Sequence, residues 1–241
     1  MPAAPVPRQA TAVDVRDGLR SRSEVIARYR QLRRISKVHS TEAADRVSPA
    51  LFLQQARRLG LVAGNTIVLD DMDALTFVQD LVNYTAPAGR SRAIDRYAKA
   101  ARLAPESDEA VVLDAMCRAR FVIGEVVRRH EAAGLILRDV ARGEEVWLMD
   151  EGMEKSMPDG ALLATRMYAP ESFFMTAGLF VPLDDRQLLN DAFAEVPYLL
   201  RKAPAAAVDD RRFAEALYRV ALADGLMERM AWQDPTDDPP A

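Results

Sequence analysis

The alternation of apolar and polar residues predicts that most of the chain is helical, and the first helix is expected to begin near Ser21. Ser21 and Glu24 have the spacing of a capping box, in which each side chain binds a free backbone amide of the other residue. The apolar residues that follow at helical spacing are Val25, Ile26, Tyr29, Leu32 and Ile35. This stripe should pack the first helix against a core.

Three further helices are predicted before residue 105. Ser48 and Pro49 are typical of a helix start, and Gly60 is typical of its end. The other two helices span about residues 73–85 and 90–102, and the second is basic and amphipathic. A helix-turn-helix motif is not expected, because about a dozen residues separate the first two of these helices where that motif has a turn of three or four. The separating residues include a strand-like apolar run, 66–69.

A single central helix is predicted for residues 107–130. Its apolar residues fall into two adjacent rows, Val111, Ala115, Ala119, Val122 and Val126 in one and Val112, Met116, Ile123 and Val127 in the other. So wide an apolar face implies contact with several elements. Arg128, Arg129 and His130 would then occupy the last turn, where the helix dipole favours cations.

Between residues 135 and 183 the pattern changes to short alternating runs with turn residues between them, which predicts β-strands. The predicted strands are residues 135–140, 145–150, 161–168, 173–176 and 179–183. The first two flank a hairpin loop that contains Gly143, and Pro158-Asp159-Gly160 forms the turn before the third. Residues 151–157 are expected to be a connection. The last two strands are expected to form a second hairpin, which gives a small five-stranded antiparallel sheet or barrel-like module packed on the central helix.

The C-terminal part is predicted to return to helix. Asp184 and Gln187 form another capping-box pattern, for a helix that Pro197 interrupts, and residues 209–224 form the last helix. The fold class expected is therefore α+β and mainly helical. A basic helical region, residues 12–105, and a region of residues 106–232 should form one cooperative unit. Residues 1–11 and the acidic, proline-rich residues 233–241 are expected to be disordered.

Composition places the chain among soluble cytoplasmic proteins. Its 241 residues are 49% hydrophobic and 28% charged, which is usual for a globular protein, and no apolar run approaches the roughly 20 residues that span a bilayer. The first residues lack the apolar core of a signal peptide. The single cysteine, Cys117, excludes an internal disulfide and a cysteine-built zinc site. Arg greatly outnumbers Lys and alanine is abundant, which is typical of a GC-rich bacterial genome.

Charge is distributed unevenly along the chain. Residues 1–105 carry 17 Lys/Arg and 10 Asp/Glu, whereas residues 106–241 carry 15 and 26. Such a basic half can bind a polyanion, or it can attract the acidic half within the fold. The candidate residues for a nucleic-acid face lie on the first helix opposite its apolar stripe: Arg28, Arg30, Arg33, Arg34 and Lys37. Aromatic residues do not alternate with these cations, which weakens the hypothesis of single-strand binding.

Arg166 is the most unusual candidate in the predicted sheet, because it stands in the middle of a strand. It is expected either to pair with an acid such as Asp139 or Asp150 or to present its cation to a ligand. Trp147 and His130 complete the candidate ligand-binding set. Seven acids lie between residues 139 and 159, mostly at strand ends and turns, where acids are usually solvated.

No metal or cofactor site is expected. Asp70, Asp71 and Asp73 could bind a cation, but acids at a helix start are more often caps. The motifs of dinucleotide, P-loop, zinc-protease and serine-hydrolase sites are absent, and the two histidines, His39 and His130, are far apart in the sequence.

The segment ARFVIGEVVRRHEAAGLILRDVARGEEVWLMDEGMEKSMPDGALLATRM resembles a pattern found in uncharacterised bacterial proteins. Over residues 119–183 the hairpin and the following Pro-Asp-Gly turn resemble the small β module beside SEC-C metal-binding tails. The cysteine-rich tail itself is absent here, so the resemblance implies a fold and neither a zinc site nor an activity.

These patterns favour a non-enzymatic binding or regulatory protein that acts through contacts with a protein partner. Two alternatives stay open at this point. One is a nucleic-acid-associated protein that uses the arginine-rich half, and the other is an enzyme that uses Arg166 and the carboxylates of the β module, with or without a divalent cation. The sequence does not define the oligomeric state.

Overall fold

The computed structural model describes residues 21–64, 66–68, 74–87, 89–183 and 186–225. The two predicted disordered ends lie outside these ranges, and so do Asp70, Asp71, Asp73 and Asp184. The described helices are α1 (Arg22–Asp45), α2 (Pro49–Arg58), α3 (Ala74–Tyr84), α4 (Ala93–Ala100), α5 (Asp108–Cys117), α6 (Glu151–Ser156), α7 (Arg186–Glu195), α8 (Pro204–Val208) and α9 (Arg211–Ala223). A 3₁₀ helix, Pro197–Arg201, follows α7.

The predicted helix starts of the N-terminal part are confirmed. The Ser21 hydroxyl accepts a hydrogen bond from the Glu24 amide, and the Glu24 carboxylate accepts one from the Ser21 amide at 2.7 Å. Ser48 caps α2 in the same way, and Pro49 is its first residue. Gly60, just after α2, has a φ of +80°, a conformation that glycine adopts without a steric cost.

The strands confirm an α+β fold. They are β1 (Val62–Ala63), β2 (Thr66–Ile67), β3 (Arg120–Arg129), β4 (Leu135–Asp139), β5 (Glu144–Leu148), β6 (Leu162–Tyr168) and β7 (Met175–Pro182). β1 and β2 form a small hairpin, and the other five form an antiparallel sheet in the order β5-β4-β3-β6-β7. This sheet is not closed as a barrel, although one isolated parallel bridge joins Leu148 of β5 to Phe174, the residue just before β7. The β4–β5 hairpin and the Pro-Asp-Gly turn lie where they were predicted.

The predicted central helix, residues 107–130, is wrong beyond Cys117. Only α5 is helical, and the remainder is β3, the middle strand of the sheet. Phe121 and Ile123 pack on one face of the sheet, while Val122 and Val126 pack on the other. A strand buried on both faces has no polar alternation, so its apolar run cannot be distinguished from a buried helix by periodicity alone.

The predicted hairpin of residues 173–183 is also wrong, because β7 is one continuous strand. Thr165 of β6 pairs with Phe180 and Met167 pairs with Thr176, so more residues lie between these pairs on β7 than on β6. Gly178 stands in this bulge with a φ of +110°. Glycine within a strand can mark a bulge as well as a turn, and the sequence does not distinguish them.

The two faces of the sheet have different coverings. Helices pack on one face, where Phe121 meets Phe213 and Tyr218 of α9 in edge-to-face contacts. On the other face Met153 and Met157 cover the apolar side chains of β3 to β6. The segment that carries these methionines was predicted to be a connection, but it contains the short helix α6 because Asp150 caps its first amides.

Helix α1 packs beside the sheet on a second core. Its Val25 and Leu32 are buried in one cluster with residues of α4, α5 and the start of β7, including Ile94, Val112 and Met175. This arrangement turns the arginine-rich face of α1 towards α6 and β7, where the candidate site lies.

Candidate functional site

Three arginines of α1 are bound to acids that come much later in the chain, and the first of them, Arg22, binds Glu154. Arg28 donates to both carboxylate oxygens of Asp108, at 2.6 and 2.7 Å, and to Glu171 at 2.7 Å. Arg30 donates to both oxygens of Glu151, at 2.8 and 2.7 Å. These hydrogen bonds lower the pKa values of Asp108 and Glu151 below their ordinary range. The basic and acidic halves of the chain therefore contact each other within the fold.

Arg33 differs from these arginines because it has no acidic partner. It is half-buried, and its guanidinium donates to the Thr176 carbonyl at 2.5 Å. No carboxylate within the described ranges lies at ion-pair distance from it. Desolvation acts to lower the pKa of Arg33, but Tyr168, Tyr29 and Asp150 nearby outweigh it and raise that pKa, so the cation persists.

A buried tyrosine lies beside Arg33. The Tyr168 side chain is 2% exposed. Burial raises the pKa of its hydroxyl, although the nearby Arg33 guanidinium and the Ser36 side chain act to lower it. Tyr168 in turn acts to raise the pKa of Arg33, so the two side chains belong to one polar group at this position.

A crevice between α1 and α6 gives access to this region. Its volume is about 570 Å³, and its lining residues are Ala27, Tyr29, Arg30, Arg33, Arg34 and Glu151. Glu151 is occupied by Arg30, which leaves Arg33 and Arg34 as an excess of positive charge. Arg34 and Lys37 are exposed, and neither forms an ion pair with a described residue. We call this set of lining residues the α1–α6 crevice.

Arg166 is buried in an ion pair, but its partner is neither of the two acids predicted. Its guanidinium donates to both carboxylate oxygens of Asp80 in α3, at 2.9 and 3.0 Å, and the Tyr218 hydroxyl donates to Asp80 at 3.0 Å. The rings of Tyr84 and Phe121 lie 5.0 and 5.4 Å from the Arg166 guanidinium carbon. Side chains alternate between the two faces of β6, and this alternation directs Arg166 to the face that carries α3. The predicted partners were wrong because only acids of the β module were considered.

Asp139 and Asp150 each have a local structural role. Asp139 accepts from the backbone amides of Ala141 and Arg142 at 3.1 and 3.2 Å and from the Arg142 guanidinium at 2.8 Å, so it shapes the β4–β5 turn. Asp150 caps α6 and accepts from the Thr176 hydroxyl at 3.1 Å. Arg166, Asp139 and Asp150 are thus bound to different groups, and the cluster that the carboxylate enzyme alternative requires is not formed.

His130 and Trp147 do lie together, as a stacked pair. Their ring centroids are 3.9 Å apart with an interplanar angle of 8°, and the indole N–H donates to the Ala133 carbonyl at 2.7 Å. His130 follows the end of β3, so the predicted position in a last helical turn is wrong. Burial lowers its pKa, which favours the neutral ring. This pair joins the β3–β4 connection to β5.

Sequence reasoning missed Asp80, Tyr29 and Tyr168 as polar participants. Asp80 lies at helical spacing from Phe77 and Tyr84, on the apolar face of α3. An acid on such a face needs a buried partner, and this spacing could have indicated Arg166. The tyrosines gave no such signal, because their rings fit an apolar stripe equally well.

Two absences hold for the part of the chain that the structure describes. No group of three or more His, Cys, Asp or Glu side chains there could hold a metal ion. None of its helices combines the length and the apolar character needed to cross a membrane.

Comparison with known proteins identifies a family but no function. No curated protein and no solved structure matches the chain. The resemblance of residues 119–183 to the module beside SEC-C tails is not tested by these comparisons and stays a prediction. A family model described as "Family of unknown function (DUF7986)" matches residues 23–231, which include the crevice, the sheet and the C-terminal helices. The chain therefore belongs to this family of unknown function, DUF7986.

Proposed function

We propose that this protein is a non-enzymatic binding protein that acts through contact with a protein partner, and that the partner places an acidic side chain in the α1–α6 crevice. The observation that carries the proposal is the half-buried Arg33, whose guanidinium has a carbonyl partner but no carboxylate partner among the residues that the structure describes. The same crevice contains the exposed Arg34 and the ring of Tyr29.

A carboxylate suits this crevice because a charge-assisted hydrogen bond to a guanidinium is about twice as strong as a neutral one. Arg30 already shows the geometry on one side of the crevice, where it binds Glu151 with two hydrogen bonds. Arg33 and Arg34 offer further donors to an acid that arrives from outside. The apolar parts of Ala27 and Tyr29 provide surface for the rest of a peptide.

A protein partner fits better than nucleic acid because most cations of the proposed nucleic-acid face have other partners. Arg28 binds Asp108 and Glu171, Arg30 binds Glu151, and Arg33 binds the Thr176 carbonyl. Arg34 and Lys37 remain of the five, and two cations neutralise few phosphates. From the composition, we place this role in the cytoplasm of a bacterium.

The test is binding of a fluorescent hexaglutamate peptide, measured by anisotropy at low ionic strength. Arg34→Gln should weaken binding about fivefold, the loss expected for one exposed ion pair. Arg186→Gln removes an exposed cation from α7, distant in the sequence from the crevice, and serves as the matched control. A glutamine hexapeptide should not bind.

Two results would oppose the proposal. One is the absence of hexaglutamate binding at low salt by the native chain. The other is an equal loss in Arg34→Gln and Arg186→Gln, which would assign the binding to overall charge and not to the crevice.

A further inference from the structure

A second cavity, shallow and wide open to solvent, lies between the start of α4 and the end of α5, on a different set of residues from the crevice. Its volume is about 620 Å³, and its lining residues are Gly89, Arg90, Ser91, Asp95, Ala98, Lys99 and Cys117. Nothing in the proposed function uses these residues. We call it the α4–α5 cavity.

The single acid of the α4–α5 cavity is already neutralised. Arg92 donates to both oxygens of Asp95, at 2.8 and 2.7 Å, and also to the Cys117 carbonyl. This contact lowers the pKa of Asp95 although burial acts to raise it, so its charge is retained and shared with Arg92. Lys99 also acts to lower the pKa of Asp95, so this one carboxylate is shared between two cations.

Two cations at the cavity keep their full charge. Arg90 and Lys99 are exposed, and neither forms an ion pair with any residue in the described ranges. They lie on the loop before α4 and in its last turn. Arg90, Arg92 and Lys99 together carry three positive charges and Asp95 carries one negative charge, so this group of side chains has a net charge of +2.

We propose that the α4–α5 cavity binds the phosphate group of a small organic phosphate monoester through Arg90 and Lys99. A phosphate monoester carries a charge of about −1.5 to −2 at pH 7, which matches two cations. Arg90 can donate two parallel hydrogen bonds to phosphate oxygens, Lys99 adds a compact charge, and the Ser91 hydroxyl is a further donor.

The size of the cavity favours an ester over free phosphate. Small-molecule sites have volumes of about 300–1,000 Å³, and a phosphate group fills only a small part of such a space. Ala98 and the Cys117 side chain provide apolar surface for an organic group. Burial raises the pKa of the Cys117 thiol, so it stays protonated at neutral pH and takes part as a packing surface.

Cys117 also makes a direct experiment possible because it is the only cysteine in the chain. The rate at which iodoacetamide alkylates it would be measured at pH 8.5 with increasing glycerol 3-phosphate, with inorganic phosphate, and with sodium chloride at equal ionic strength. The proposal predicts saturable protection by glycerol 3-phosphate, weaker protection by inorganic phosphate and none by chloride. Equal protection by the two phosphates would support the site but identify free phosphate as its ligand.

Variants decide whether the protection comes from this cavity. Arg90→Gln with Lys99→Gln should abolish it, whereas Arg102→Gln, which removes a nearby exposed cation outside the lining, should leave it unchanged. Because both substituted residues are exposed, the double variant should keep its fold, which circular dichroism would verify. The proposal is overturned if millimolar phosphate ester gives no protection, or if protection persists in the double variant.

Discussion

The ion pair of Arg166 and Asp80 shows how a residue that looks functional in the sequence can be structural. Both side chains are buried, and the Tyr218 hydroxyl adds a third hydrogen bond to the same carboxylate. Removing one member of a buried pair leaves an uncompensated charge, which is costlier than removing both.

The first prediction concerns this pair. Arg166→Met should lower the free energy of unfolding by about 3–5 kcal/mol, because Asp80 would keep a buried charge with only Tyr218 as a donor. Urea unfolding would measure it. The double variant Arg166→Met, Asp80→Leu is the control and should regain most of the loss. If the double variant loses as much free energy of unfolding as the two single variants together, the ion pair is not the reason for the effect.

His39 allows a prediction about protonation at the same scale. Its Nε2 lies 2.9 Å from the Glu109 carbonyl, which can only accept, so Nε2 carries the proton. Its Nδ1 then accepts from the Tyr97 hydroxyl at 2.9 Å. Burial lowers the pKa of His39, and a second hydrogen on the ring would oppose the Tyr97 contact.

The unfolded chain therefore binds a proton at His39 more readily than the folded chain does. The His39 contribution to stability should be complete above about pH 6.5, the ordinary histidine value, and should decrease as the pH falls through the lower folded pKa. Urea unfolding of the native chain and of His39→Gln between pH 7.5 and 5 would show it. If the free energy of unfolding changes with pH in the same way in both proteins, the pH dependence does not come from His39.

At the level of the element, the bulge in β7 is sensitive to a single added methyl group. Gly178 has a φ of +110°, and an added Cβ would lie 3.6 Å from the Arg33 guanidinium. Residues other than glycine rarely adopt this backbone conformation, at a cost of about 1–3 kcal/mol.

Gly178→Ala should therefore lower the free energy of unfolding by about 1–3 kcal/mol, as measured by urea unfolding. Gly152→Ala in α6 is the matched control. The φ of Gly152 is not positive and its added Cβ would have ordinary contact with Asp150, so this change should be neutral or slightly stabilising. Equal effects of the two substitutions would mean that the Gly178 conformation is not the determining factor.

Elements with a polar boundary were predictable from the sequence, and elements buried on both faces were not. Ser21 with Glu24, Ser48 with Pro49, and Gly143 indicated two helix starts and one hairpin because each has a local chemical cause. β3 was mistaken for helix because its two faces enter two different cores.

The candidate site was predictable in part. The arginines of α1 stood out by charge, whereas Glu151 was one of seven acids between residues 139 and 159 and was not singled out. The ion pair of Arg30 with Glu151 and the contact of Arg33 with the Thr176 carbonyl each join residues more than 100 positions apart, which no local sequence pattern predicts.

At the level of the whole molecule, the basic and acidic halves of the sequence contact each other within the fold. Arg28 and Arg30 of the basic half bind Asp108, Glu171 and Glu151 of the acidic half. We propose that these contacts help the chain to unfold as one cooperative unit.

This interface predicts lability in acid. The pKa values of Asp108 and Glu151 are lowered in the folded chain, so the unfolded chain takes up protons first as the pH falls. Their contribution to stability should be complete above about pH 4.3, the ordinary carboxylate range, and be lost as the pH falls through the folded values. Urea midpoints measured between pH 6 and 3 would show this loss. Arg28→Gln should reduce the slope of the urea midpoint against pH. A slope unchanged in Arg28→Gln would contradict this role.

The central claim is that the α1–α6 crevice receives an acidic protein segment. It is tested most directly by nuclear magnetic resonance of the arginine Nε–H groups during titration with hexaglutamate and, separately, with a single-stranded oligonucleotide of equal charge. We expect the Arg33 and Arg34 signals to shift and saturate with the peptide and to respond less to the oligonucleotide. Unchanged Arg33 and Arg34 signals with the peptide, or larger shifts with the oligonucleotide, would contradict it.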